Sequence, residues 1–276
     1  MASPVTGRLT DRERLLRVLS QRGARGGRIE AHRAMLRLPN AGRRLSASLL
    51  LGVAGLAGFV ALLPTLGAFW GTLFRRIHAA LGLPGPVVER PTAFGPVEFT
   101  VPTVAFDAPV PMPRDLAIAA GVVAGLILIS LALRGRWLPA AYFLRAVAVV
   151  LTTAVGFFAF WPDQFPYRLS EYVVGHLQAG LVVMGLVPLV LGFTFYLFDL
   201  SVLRKILLTA MVLGHLAIFL PLQAMFHALV VSQLTLVAMP VLALLFGILL
   251  DVMVFVAFYG WAMSWPSALW EEVPRP

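Results

Sequence analysis

Apolar residues in this chain fall in long unbroken runs, not in the short alternations or narrow stripes of a soluble fold. Six runs cover residues 45–73, 116–133, 137–161, 172–198, 206–223 and 240–263. At 1.5 Å per residue, each is about long enough to cross a hydrocarbon layer of about 30 Å. Pro64 lies inside the first run, Pro188 predicts a kink in the fourth, and Pro240 suits a helix start. The expected fold class is an all-α integral membrane protein with about six transmembrane helices. It carries a basic N-terminal cytoplasmic arm and an extended Pro-rich outer loop. The expected divisions are an arm over 1–44, a first span over 45–74 and an extracytoplasmic loop over 75–115. A bundle of about five helices over 116–265 and a cytoplasmic tail over 266–276 follow.

Two segments fit this scheme less simply. Residues 224–239 are apolar but carry neither charges nor turn residues. They read as an interfacial helix, a re-entrant segment or part of a very long sixth helix. A seven-span variant would need a turn near Gly247, and no turn signal stands there. Residues 82–114 hold eight prolines, among which Val97-Glu98-Phe99-Thr100-Val101 and Val104-Ala105-Phe106-Asp107 alternate with period 2. Pro102 and its neighbours limit these to edge strands or extended chain. Such an edge can pair with another envelope protein or pack over its own helix ends.

Composition sharpens the class. The chain is 59% hydrophobic and 13% charged, with a mean hydropathy of +0.87. A soluble domain is about half apolar and a quarter charged, so a soluble fold is excluded. There is no cysteine, which removes disulfides, thiolate metal sites and cysteine nucleophiles. Residues 1–45 hold 11 Arg against Asp11, Glu13 and Glu30, a net of +8 out of the total of +9. The arm lacks the early apolar core of an export signal. It reads as two short basic helices, the first capped by Thr10-Asp11-Arg12-Glu13. Anionic lipid headgroups are its expected partner. No aromatics interleave the Arg, so no nucleic-acid partner is expected. With the arm cytoplasmic, Arg134, Arg136, Arg204 and Lys205 also fall inside, as the positive-inside rule requires. Arg75 and Arg76 oppose it. The expected location is the cell membrane, multi-pass, with the N-terminus cytoplasmic.

Ionisable groups at bilayer depth are costly and mark function. Arg145, His215 and Asp251 lie about 12, 13 and 18 Å in from their helix ends at helical rise, so all three are expected in one mid-membrane layer. An Arg145–Asp251 pair would remove the cost of either charge alone, with His215 placed to relay a proton. The bland alternatives are a structural ion pair, and an Arg145 that snorkels to the inner face.

A second cluster, Asp163, Arg168, Glu171, His176 and His227, gathers at the outer face. Two His with carboxylates can take a divalent metal, but the spacing matches no metal motif. His176 and His227 are the one pair that could ligate a haem on facing helices. No metal and no cofactor is expected. Phosphate-loop, dinucleotide and Gly-x-Ser-x-Gly patterns are missing. Gly52, Gly55 and Gly58, and separately Gly121 and Gly125, are helix-packing signals.

Three functions stay open. The absence of any reaction motif favours a non-catalytic subunit that docks an envelope partner through 82–114 or the arm. A small-solute or proton-coupled transporter would use Arg145, His215 and Asp251. A membrane enzyme of lipid or envelope-polymer chemistry would use the outer cluster.

Overall fold

The computed structural model describes residues 41–195 and 201–263. The basic arm, residues 196–200 and the tail lie outside the described residues, and the arm helices expected above lie there with them. Helix α1 (Ala41–Leu81) is followed by strands β1 (Val87–Phe94) and β2 (Val97–Val104). Helices α2 (Pro113–Ala132), α3 (Leu138–Phe160), α4 (Leu169–Thr194) and α5 (Val202–Leu234) come next. The last span is broken into α6 (Met239–Ala243), a π-helical turn at Leu244–Ile248 and α7 (Leu249–Met263). Six helical segments are long and apolar enough to cross a membrane.

Two boundaries differ from those expected. Helix α1 does not stop before Arg75 but runs on to Leu81. At 41 residues it is about 60 Å long, twice a hydrocarbon layer. Arg75 can stay on the helix because Glu89 of β1 pairs with it at 2.8 Å. Residues 224–234 form neither a separate helix nor part of the sixth span, which takes in only 236–239 of the stretch. They continue α5, which ends only at Thr235, whose φ of +69° turns the chain. The apolar character of 224–234 reflects packing: Ala224, Met225, His227, Ala228 and Val231 are buried.

The alternation in 97–104 forms an antiparallel hairpin, Val87 opposite Val104 and Phe94 opposite Val97. Gly95 has φ +59°. Pro96 holds the next φ negative, so the two-residue turn is of type II′. The Ala105 N–H donates to the Pro86 carbonyl at 2.9 Å. This sets the parity of the ladder: the Glu89–Pro102 and Pro91–Thr100 pairs are the non-hydrogen-bonded ones. Neither proline interrupts a ladder bond, which explains how the hairpin tolerates both. Strand β2 is clamped between β1 and the helices, with Val101, Pro102, Thr103 and Val104 buried. A side chain at Gly67 of α1 would collide with the Thr100 carbonyl.

Helix α4 is the hub. It packs against α1, α5 and the hairpin, and touches the π turn. It crosses α1 closely at glycines: a Cβ on Gly52 would sit 2.9 Å from the Pro188 carbonyl oxygen and 3.1 Å from the Gly192 Cα. Gly121 and Gly125 of α2 instead face open space, and pack against no other helix among the described residues. Helices α2 and α3 form a pair that joins the rest through contacts of α3 with α6 and with the turn at Leu236–Ala238.

Candidate functional site: a buried His–His–Gln–Asp cluster at a broken helix

Helices α4 and α5 run antiparallel. Each presents two polar residues one turn apart, Tyr172 and His176 on α4, Gln223 and His227 on α5, so the two pairs meet face to face. Tyr172 Oη and His227 Nδ1 share a hydrogen bond of 2.8 Å. His176 Nε2 lies 3.2 Å from Gln223 Oε1. The two imidazole rings are 5.0 Å apart between centroids. One turn further, the helices close up, because Gly180 leaves room for Leu220.

The sixth span completes the site. Its π turn contains Gly247 at non-helical φ −102°, ψ −113°. The break frees carbonyls that an intact helix would use itself. Gln223 Nε2 donates to the Phe246 carbonyl and lies 3.5 Å from that of Gly247. That orients the amide, so its oxygen faces His176 and the His176 Nε2–H is the donor. Gly247 packs on the His176 ring: a Cβ there would lie 3.6 Å from Cε1 and Nδ1. Asp251, in the first turn of α7 and four residues past Gly247, lies beside the Gln223 side chain. His227 reaches toward the Phe246 carbonyl. Phe143 of α3 packs edge-on against Phe246 and covers the turn from outside.

Burial makes this cluster expensive. His227 is 0% exposed, Asp251 2% and His176 8%. Even so, His227 Nε2 and Asp251 Oδ1 have no hydrogen-bond partner among the described residues. A buried polar atom left unpaired costs about 1–3 kcal/mol, and more if charged. Both lie around the Gln223 amide and the Phe246 carbonyl. The arrangement can bind and release a proton beside a backbone that is already broken.

The expected triad is not assembled. Arg145 is exposed and donates from Nε to Ser130 Oγ at 3.3 Å and from Nη2 to the Ser130 carbonyl at 3.5 Å. Its guanidinium lies over the Tyr142 ring. Among the described residues no ion pair joins it to Asp251. His215 stacks on Phe219 at 5.2 Å and packs on Phe258 at 5.5 Å. It sits eight residues from Gln223 on α5, about 12 Å along the helix. Asp251 is level with Gln223, so the single layer of three fails. Equal depth along three helices does not fix which way each residue faces.

Of the outer cluster, His176 and His227 come together, whereas Asp163 and Glu171 are exposed and stand outside the network. Among the described residues no group of three or more His, Asp and Glu could hold a metal ion. Tyr172 and Gln223 were not singled out from the sequence. Tyr172 reads there as the start of a run and Gln223 as the end of one. The signal that could have found them is the matching one-turn spacing of Tyr172–His176 and Gln223–His227. Comparison with protein-family models, with curated protein sequences and with solved structures finds no match for this chain.

Proposed function

We propose that this chain is a polytopic protein of the cell membrane, N-terminus cytoplasmic, that moves protons through its helix bundle as a transporter. One observation carries the reading. His227 and Asp251 are buried among apolar helices with one polar atom each unpaired, beside a break in the sixth span; the Nε2 of half-buried His215 is also unpaired, but about 12 Å along α5 from that break. Such groups are rare inside membrane bundles because their solvation is lost. They recur where a proton or an ion must be held briefly. A broken helix with free carbonyls at the same place is how transporters line a binding point with backbone. In this mechanism His227 and Asp251 are the loading groups. Gln223 holds the π turn against α5, and Tyr172 orients the His227 ring. The residues differ from the Arg145, His215 and Asp251 set expected above, of which only Asp251 is retained.

Proton uptake by proteoliposomes under an inside-negative potassium diffusion potential tests the reading. The unmodified chain should acidify the lumen faster than protein-free liposomes. Asp251→Asn and His227→Ala should each abolish most of that uptake, and His215→Ala should leave it unchanged. Uptake no faster than in protein-free liposomes, or unaltered in Asp251→Asn, overturns it.

Docking of an envelope partner through the hairpin has weaker support. Pro91 removes a donor from the free edge of β1, a common way to prevent strand addition. An enzyme built on the outer cluster has less still, since Asp163 and Glu171 stand apart from the His pair.

A further inference from the structure

The hairpin lies lengthwise along two of the candidate spans. On α4 its contacts run from Ser170, whose carbonyl accepts from Thr103 Oγ1 at 2.8 Å, through Gln178, which donates to Thr92 Oγ1 at 2.8 Å. They end at Gly185, where a Cβ would touch the Phe94 ring at 2.9 Å. On α1 they run from Arg75, paired with Glu89, to Phe59, which packs edge-on against Phe94 at 5.8 Å. Both paths give a descent of about 22–24 Å at helical rise. The hairpin thus accompanies α1 and α4 for most of a hydrocarbon thickness.

Only one side of this hairpin is covered. Strand β2 is sealed by α1 and α4, but Val88, Glu89, Arg90, Pro91 and Ala93 of β1 are exposed, as is Glu98. By the ladder parity, the N–H groups of Val87, Glu89 and Ala93 point away from β2. An open sheet edge cannot face lipid, because each unpaired backbone group would cost several kcal/mol there. Exposed Glu and Arg add to that cost. Strand addition by a second chain is opposed by Pro91. Water satisfies all of these groups at once.

We infer that this flank faces an aqueous cleft that descends along β1 as far as the level of Gly185, while the apolar faces of α2 are in lipid. The inference does not depend on proton movement at Asp251. Water on this side of α4 can coexist with any function of the His pair.

The chain has no cysteine, so single-cysteine variants of the full-length protein report one position each. Arg90→Cys, Ala93→Cys and Glu98→Cys line the flank, while Ile118→Cys and Val122→Cys lie on exposed positions of α2. Each variant is reconstituted in liposomes with a charged, membrane-impermeant maleimide on both sides. Maleimide consumes thiolate, which apolar surroundings suppress, so the α2 positions should react about a hundredfold more slowly than the flank positions. Ala93→Cys and Glu98→Cys reacting as slowly as Val122→Cys would overturn the cleft. A crosslink between two copies through Ala93→Cys would also overturn it, assigning the flank to a homo-oligomer. Hydrogen exchange on the unmodified protein in nanodiscs gives a reading independent of substitution. The Glu89 and Ala93 amides should exchange rapidly, and protection of both would overturn the inference.

Discussion

Trp70 shows how a single side chain repairs a defect written elsewhere in the sequence. Pro221 inside α5 has no N–H, so the carbonyl of Ala217, four residues earlier, loses its helical donor. The indole Nε1–H of Trp70, itself 0% exposed, donates to that carbonyl at 2.7 Å. Trp70→Phe should therefore lower stability by about 1–3 kcal/mol, the cost of a buried carbonyl left unpaired. Pro221→Ala in the same background should recover part of it by restoring the helical donor. Thermal unfolding of the four proteins of this cycle in detergent checks both expectations, and additive losses would refute the link. Neither residue is conspicuous in the sequence, where Trp70 reads as one more apolar residue in a long run. The same blindness hid Tyr172 and Gln223. A polar residue at a helix end is unremarkable until the facing helix is known.

Elements were far more legible than contacts. Run length marked all six helices, since nothing else explains about 20 apolar residues in sequence. Alternation marked β2. What failed were the ends: Arg75 on α1 and the stretch 224–234 on α5 extend their helices because of partners in the fold, Glu89 in one case and α4 in the other. Glycine spacing was ambiguous in the same way. Gly52 and Gly121 look alike in sequence, yet Gly52 lies against Gly192 and Pro188 while Gly121 faces open space. Gly52→Val should force α1 and α4 apart and cost about 1–3 kcal/mol, the usual range for overpacking. Gly121→Val should change the unfolding temperature little, and a valine at Gly121 is better than glycine as a strand or helix residue by its smaller entropy loss. Equal losses in the two variants would show that the close crossing is not where α1 and α4 bind each other.

For the whole molecule, the proposed orientation has six candidate spans returning the chain to the side on which it starts, with the 11 Arg of the arm favouring the cytoplasm for that side. Reporter fusions at residue 10 and after Pro276 should both read cytoplasmic, and opposite locations would demand an odd number of spans. The sealing of β2 by α1 and α4 has a further consequence, for biosynthesis. The hairpin leaves the ribosome directly after α1, but its second wall, α4, begins 65 residues after Val104. At about 5–20 residues per second, translation needs on the order of 3–13 s to deliver it. For that interval Val101 and Val104 have only one wall, and the nascent chain presents a bare, sticky ribbon at the membrane while α2 and α3 are inserted past it. The apolar face of the ribbon thus waits for seconds for its second wall, whereas a hairpin itself closes within about 1–10 μs.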